Sequence, residues 1–229
     1  MLSLPVFAAS SAACERSVQQ ILRGNYDAAL RQLEGAKTAG AAPAEVENVR
    51  GLALLLEGDI GRALASFEKA LALQPGLQPA RFNRALALMR NREYAKAAAD
   101  LETVYADEHS ALRADAAYHL GIANDRLGRA ADAESWLERA LKLDVTLDAA
   151  QLYAGLLRER RGDLQGAGRA YLDYLERHPQ SAPALLRFGI SAQKAGRIDV
   201  ARQYLQRVIA AAPRSDEAME ARKFLVMWE

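Results

Sequence analysis

The sequence predicts an all-α solenoid of about six helix–turn–helix repeats, followed by a C-terminal capping helix. The first observation behind this prediction is a period of 34 residues, at which Gly121, Gly155 and Gly189 recur. The second is the spacing of apolar residues at i, i+3, i+4 and i+7, which is typical of an amphipathic helix. The third is a turn signal at one point of every period. Such a period indicates repeats that build a core by stacking on their neighbours.

The repeats follow one another through most of the chain. Their predicted ranges are 10–43, 44–77, 78–111, 114–147, 148–181 and 182–215. Two extra residues, near 112–113, separate the third repeat from the fourth. Two helices in each repeat, the capping helix and an extension of the first helix together make about fourteen helices.

The turn inside each repeat carries a glycine or an asparagine, which adopts the left-handed backbone conformation that ends a helix. The six turns are predicted at Gly24-Asn25, Gly58-Asp59, Asn91-Arg92, Gly128-Arg129, Gly162-Asp163 and Gly196-Arg197. In three repeats a proline then stops the second helix, at Pro75, Pro179 and Pro213.

Residues 216–229 are predicted to cap the solenoid. Ser215 suits the N-cap position of this helix, and acidic residues follow in its first turn, where negative charge is favoured. We expect Met219, Phe224 and Leu225 to cover the apolar end that the sixth repeat would otherwise expose to water.

Composition narrows the classes of partner. The chain is 51% hydrophobic and 26% charged, which is ordinary for a folded protein, and its net charge is +1. This balance argues against a nucleic-acid partner, whose binding requires a basic surface.

The single cysteine, Cys14, excludes an internal disulfide and a cysteine zinc site. No apolar run approaches the roughly 20 residues of a transmembrane helix.

Residues 1–9 allow two interpretations. Val6 and Ala8 fit the small-residue pattern before the cleavage point of a signal peptide, although the basic segment that opens such peptides is missing. Pro5 equally suits the first turn of a longer first helix. The chain is therefore either exported to the periplasm, with residues 1–9 as the remnant of a signal peptide, or cytoplasmic, with an N-terminal extension.

Three repeat positions resemble a known family. The eighth position is small, the twentieth is alanine, and the twenty-fourth is large and apolar. The residues there are Ser17, Gly51, Ala85, Gly121, Gly155 and Gly189; Ala29, Ala63, Ala97, Ala133, Ala167 and Ala201; and Leu33, Phe67, Leu101, Leu137, Tyr171 and Leu205. In these features residues 10–215 resemble the tetratricopeptide repeat (TPR) family. The resemblance implies a right-handed superhelix in which small residues let the two helices of a repeat approach and the large residue fills the groove.

The sequence departs from the family pattern at three positions, one of which is the closing proline, replaced by His109 and Val145 in the third and fourth repeats. The tryptophan usual at the fourth position is absent from every repeat. At the seventh position, where leucine is usual, the first three repeats carry Arg16, Arg50 and Arg84.

By resemblance, the first helix of each repeat lines a concave groove that binds a protein or peptide partner. The inward positions proposed for binding are Asn48, Leu52, Phe82, Asn83, Leu86, Met89, Tyr118, His119, Ile122, Arg126, Tyr153 and Leu156. Aromatic groups with arginine nearby are frequent anchors of protein interfaces. The aromatic members of this set, such as Phe82 and Tyr118, fit core packing equally well.

The sequence offers no support for catalysis. The three histidines, His109, His119 and His178, include no pair at i, i+4 of the kind that binds zinc on a helix. Cys14 has no base nearby in sequence, so we interpret it as a structural thiol. We therefore expect no catalytic residue, no metal and no cofactor. The Lys and Asn pair with which one TPR class grips a C-terminal carboxylate is also absent, which disfavours a cochaperone.

Three functions remain open. The first is a non-enzymatic scaffold that binds a partner in its concave groove. The second is an exported assembly factor, since the six-repeat layout and the pattern at Leu185-Leu186 and Gly189-Ile190 resemble the pilotin-type TPR lipoproteins of type IV pili. The resemblance implies the outer-membrane secretin machinery as partner. The third is the regulatory TPR arm of a larger enzyme complex.

Overall fold

The computed structural model describes residues 11–38 and 40–227, which form thirteen α-helices and no β-strand. In chain order the helices are α1 (Ala12–Leu22), α2 (Tyr26–Thr38), α3 (Pro43–Glu57), α4 (Ile60–Leu73), α5 (Gln78–Arg90), α6 (Tyr94–Ala106), α7 (Arg113–Arg126), α8 (Ala130–Leu143), α9 (Asp148–Arg160), α10 (Leu164–Arg177), α11 (Ala182–Lys194), α12 (Ile198–Ala211) and α13 (Asp216–Val226). The all-α prediction is confirmed. The predicted fourteenth helix and the question of a signal peptide concern residues outside the described part.

The helices form two compact units, which we describe separately. Unit 1 extends to Leu143 and contains α1–α8, and unit 2 begins at Asp144 and contains α9–α13. Within each unit, odd-numbered helices are the first helices of repeats and pack against the even-numbered second helices that follow them. Helix α13 packs on α12 and α11 at the C-terminal end of unit 2.

A glycine against a large side chain brings the two helices of a repeat together, as the sequence predicts. A Cβ atom on Gly51 would lie 2.5 Å from Cε1 of Phe67, and one on Gly121 would lie 2.8 Å from Cγ of Leu137. The same relationship joins Gly189 to Leu205 at 3.0 Å. Since real Cβ contacts are longer than this, only a residue without a side chain permits such close packing.

The turns inside the repeats follow the prediction with one correction. Five of them carry a glycine with positive φ: Gly24, Gly58, Gly128, Gly162 and Gly196. In the third repeat Asn91 does not take this conformation, since its φ is −78°. Arg92 takes it instead, with a φ of 64°. The left-handed place therefore lies one residue later than the asparagine suggested, and an arginine occupies it.

The seventh-position arginines of the second and third repeats join first helices to second helices. The Arg84 guanidinium on α5 binds both carboxylate oxygens of Asp100 on α6, at 2.7 and 2.6 Å. Arg50 on α3 donates to Glu34 on α2 at 2.7 Å. The hydrogen bond to Asp100 raises the pKa of Arg84, which stays charged. A charge pair thus replaces the apolar contact that leucine makes at this position in the family.

The C-terminal cap begins as predicted, but it covers the core with different residues. The Ser215 hydroxyl accepts a hydrogen bond from the Ala218 amide at 3.1 Å, which makes it the N-cap of α13. Ala218 and Ala221 are fully buried, while Phe224 and Leu225 are partly buried against the core of unit 2. Met219 is 51% exposed, so its predicted role in covering the core is wrong. It lies on the opposite side of the helix from Ala221.

Among the residues that the structure describes, no helix combines the length and the hydropathy needed to cross a membrane.

Candidate functional site

The predicted binding residues of unit 1 lie on the first helices of three successive repeats, α3, α5 and α7. We call their nine buried members the first-helix face: Asn48, Leu52, Phe82, Asn83, Leu86, Met89, Tyr118, His119 and Ile122. The structure joins two pairs of these residues from neighbouring repeats, Asn48 with Asn83 and Phe82 with His119. Arg126, the tenth predicted residue of unit 1, is exposed at the end of α7.

An amide pair joins the second repeat to the third within this face. The side-chain nitrogen of Asn83 donates to Oδ1 of Asn48 at 3.1 Å, and both side chains are buried. In the described part of the chain the Nδ2 atom of Asn48 has no hydrogen-bond partner. An unpaired buried amide of this kind costs about 1–3 kcal/mol.

The second repeat-to-repeat contact centres on His119. Its ring packs edge-on against Phe82, with centroids 5.5 Å apart, and lies 4.8 Å from the ring of Tyr118. Neither ring nitrogen has a hydrogen-bond partner among the described residues. Burial lowers the pKa of His119 to about 3, so the imidazole is neutral at pH 7. Burial, with a smaller contribution from the charge of Asp115, raises the pKa of Tyr118 to about 12.

One contact on this side of unit 1 was missed by the sequence interpretation. The Arg90 guanidinium at the end of α5 donates to the backbone carbonyl of Leu55 on α3 at 2.7 Å. A backbone acceptor leaves no trace in the side-chain pattern, so no sequence signal could identify this bond. It fixes the ends of two neighbouring first helices to each other.

The two predicted residues of unit 2, Tyr153 and Leu156, are partly buried on α9. One turn further on, Glu159 is buried and accepts hydrogen bonds from Lys194 on α11, at 2.6 Å, and from the Tyr171 hydroxyl on α10, at 3.1 Å. In unit 2, therefore, an ion pair joins the first helices α9 and α11, whereas the Asn48–Asn83 pair of unit 1 is neutral.

We interpreted Cys14 from the sequence as a structural thiol. In the structure its side chain is buried in α1. Burial raises the pKa of this thiol, which keeps it in the neutral, weakly nucleophilic form. No group of three His, Cys, Asp or Glu residues in the described ranges is arranged to hold a metal ion.

Sequence comparisons match four segments of the chain to one family. A sequence model described as tetratricopeptide repeat matches residues 23–77 and 82–146. A second model with the same description matches residues 149–181 and 183–215. A comparison with curated proteins found no match.

Solved structures share the fold over nearly the whole chain. PilW, described as a widely conserved type IV pilus biogenesis factor, is 22% identical, and the match covers 90% of this chain and 94% of PilW with a TM-score of 0.82. PilF of Pseudomonas aeruginosa is 21% identical over 93% of this chain and 96% of its own, with a TM-score of 0.79. YrrB, described as a TPR protein with an unusual peptide-binding site, is 23% identical. The match covers 83% of this chain and 97% of YrrB, with a TM-score of 0.61.

Proposed function

Since this chain belongs to the tetratricopeptide repeat family, we propose that it is a non-enzymatic scaffold whose first helices bind a segment of a partner protein. The TPR repeats of this chain support a general role in protein–protein interaction. The first-helix face and Arg126 are the binding surface of unit 1 in this proposal, and Tyr153 and Leu156 are the binding residues proposed for unit 2.

The observation that carries the proposal is the set of unpaired nitrogens on the first-helix face. Asn48 offers an amide donor, and the neutral His119 ring offers one donor and one acceptor. A peptide backbone carries one donor and one acceptor at nearly every residue, so it is suited to satisfy such groups. Each hydrogen bond that a partner supplied would recover part of the desolvation cost that the unbound protein bears.

The surrounding residues favour an apolar segment. The imidazole is flanked by Phe82 and Tyr118, and the face is otherwise aliphatic apart from its two asparagines. Because both rings pack on His119, a bound segment would reach the imidazole by displacing one of them. Apolar side chains would then supply affinity and the polar nitrogens would set the register, as in other peptide grooves.

The variant His119→Phe tests this proposal. The ring of His119 has no hydrogen-bond partner to lose, so phenylalanine should preserve or raise the stability of the unbound protein. It removes the polar contact that the proposal assigns to the partner. We expect the amount of partner recovered from source-cell extract, quantified by mass spectrometry, to fall about tenfold, which corresponds to about 1.4 kcal/mol.

The matched control is Glu108→Gln, a change in an exposed loop of the same unit. It should leave the recovered proteins unchanged. A folded His119→Phe protein that recovers the same partners in the same amounts as the wild type would show that the imidazole is only a core residue, and the binding face would then have to lie elsewhere.

A second candidate function is favoured by the extent of the match to PilW and PilF, which covers at least 90% of this chain and of each of those proteins. We propose that the partner, in this case, is a secretin-type component of the outer-membrane assembly machinery. Deleting the gene in its source organism should then reduce secretin multimers in the outer membrane, and the wild-type gene should restore them. Unchanged multimers in the deletion strain would refute this candidate and leave the general scaffold untouched.

A further inference from the structure

Unit 2 contains a groove that is separate from the face proposed above. It lies between α10 and α11, has a volume of about 410 Å³, and is lined only by residues of unit 2. Its apolar lining includes Leu172, Phe188 and Ala192, and Arg169 and Arg197 stand exposed at its edge. We call it the α10–α11 groove.

A glycine that is unique among the repeats opens this groove. Gly168 lies at the twenty-first repeat position, and the other five repeats carry a side chain there: Leu30, Leu64, Ala98, Glu134 and Arg202. A Cβ atom on Gly168 would lie 3.5 Å from Cε2 of Phe188, which is an ordinary contact distance. The glycine is therefore not required by close packing, unlike Gly155. Phe188 is 3% exposed, so it forms the buried floor of the groove, and a larger residue in place of Gly168 would fill the space beside it.

The charges at the groove have a single sign. Neither Arg169 nor Arg197 forms an ion pair with a carboxylate of the described residues, and none of the lining residues is acidic. The one hydroxyl, that of Ser191, already donates to the backbone carbonyl of Leu164 at 3.3 Å. Two arginines beside an apolar floor thus have no partner of opposite charge among the described residues of unit 2.

We propose that the α10–α11 groove is a second docking site, which takes one large apolar side chain of a partner protein flanked by acidic residues. The apolar side chain packs on Phe188 and Leu172 through the opening at Gly168. The flanking carboxylates accept hydrogen bonds from Arg169 and Arg197, since a guanidinium binds a carboxylate through two parallel N–H donors. Arginine beside a buried aromatic is a frequent combination at the centres of protein interfaces.

The test is a selection of random heptapeptides displayed on phage against the full-length protein. Sequences that also bind the variant Gly168→Leu are removed first, because the new side chain fills the groove without forcing the backbone apart. We expect the retained peptides to contain one large aliphatic or aromatic residue with two or more Asp or Glu residues around it. Their synthetic forms should bind Gly168→Leu at least about tenfold more weakly than the wild type and should lose affinity as salt rises.

Charge reversal distinguishes the arginines from general attraction to a basic protein. The double variant Arg169→Glu with Arg197→Glu should weaken the selected peptides at least tenfold and should itself select peptides rich in Lys or Arg. The single change Arg214→Glu, at an exposed site of unit 2 outside the groove, is the control and should alter binding less than twofold. Melting curves confirm that each variant is folded.

Three results would overturn the proposal: no enrichment over the Gly168→Leu background, enriched peptides without acidic residues, or equal binding to the charge-reversed protein. Displacement of the peptides by a short single-stranded DNA at equal concentration would also overturn it, because the arginines would then recognise phosphate. The variant His119→Phe leaves this site intact, so failure of either proposal is separable from failure of the other.

Discussion

Gly155 on α9 lies directly beneath the ring of Tyr171 on α10, so that a Cβ atom on the glycine would stand 2.6 Å from Cε1 of the ring. The Tyr171 hydroxyl reaches onward to Glu159 at 3.1 Å, and Lys194 on α11 binds the other carboxylate oxygen at 2.6 Å. One absent side chain therefore permits a contact that joins three helices of unit 2.

Replacing this glycine with alanine should destabilise the protein. The added methyl group must push the Tyr171 ring away, and overpacking of this kind costs about 1–3 kcal/mol. The matched change is Gly35→Ala in α2, where nothing lies within 4 Å of a new Cβ atom. That variant should be more stable by about 0.5–1 kcal/mol, because alanine favours the helix. Urea denaturation measures both, and equal effects would contradict the packing argument.

Arg92 should be a site where glycine improves stability. Its φ of 64° is strained for a residue with a side chain, at a cost of about 1–2 kcal/mol, and its side chain is exposed. We expect Arg92→Gly to stabilise the protein by about 0.5–1 kcal/mol, because part of the gain is offset by the greater freedom of glycine in the unfolded chain.

The reciprocal control for this turn is Gly162→Ala, where φ is 83° and a Cβ atom meets nothing within 4 Å. The variant should lose about 1 kcal/mol of stability, because alanine is strained at this positive φ and its side chain meets no neighbour. Thermal denaturation of the two variants beside the wild type decides the matter, and a loss of stability in Arg92→Gly would show that the arginine side chain has a role that the backbone does not explain.

Stability should fall on mild acidification because of His119. Its pKa is about 3 in the folded protein and about 6.5 in the unfolded chain, so between these values the unfolded state binds more protons. The stability is complete above pH 6.5 and declines as the pH falls toward 3. Between pH 7.5 and 5 the loss from this group is at most about 2 kcal/mol.

The variant His119→Phe isolates this contribution. It has no titrating ring, so its unfolding free energy should change less than that of the wild type between pH 7.5 and 5, with the difference measured by denaturation at both values. Parallel pH profiles for the two proteins would mean that the imidazole is hydrated or paired in solution.

Ending the chain after Ser215 should lower both stability and solubility. The truncation removes Ala218 and Ala221, which are fully buried in the same core cluster as Leu205 and Val208 of α12. A loss of about 3 kcal/mol is expected from the apolar area exposed, with a fall in the melting temperature of roughly 6–12 °C.

The control for the truncation is Met219→Gln, because Met219 is largely exposed on the outer side of α13. This substitution should change stability by less than about 0.5 kcal/mol. If it is as damaging as the truncation, the methionine rather than the two alanines covers the core, contrary to the structure.

The features that sequence predicted well depend on residues close together along the chain. A glycine and the large residue sixteen places after it, such as Gly51 and Phe67, belong to one helix pair, so a single repeat contains everything that determines their contact. Ser215 likewise caps α13 through an amide only three residues away. The turn at Arg92 was misplaced by one residue because asparagine carries a stronger left-handed preference than arginine, and the constant turn geometry of the repeats prevailed over it.

The candidate sites depended on more than one repeat. The period indicated which residues face inward, but only the packing of α3, α5 and α7 determined that Phe82 and His119 touch and that the imidazole is left without a hydrogen-bond partner. The repeat pattern did not predict the α10–α11 groove, because its lining comes from the second helix of one repeat and the first helix of the next. The only feature of the sequence that indicates the groove is the glycine at position 168.

By itself, therefore, the sequence determined the helices, their pairing within repeats and the glycines that let them approach, because hydrophobic period and backbone conformation are local properties. The tertiary structure alone decided which polar groups are buried without partners, which side of α13 faces water and where two arginines stand beside an open apolar floor. These outcomes depend on which atoms of distant residues fill the space around a side chain, and that is settled only when the helices of different repeats pack together.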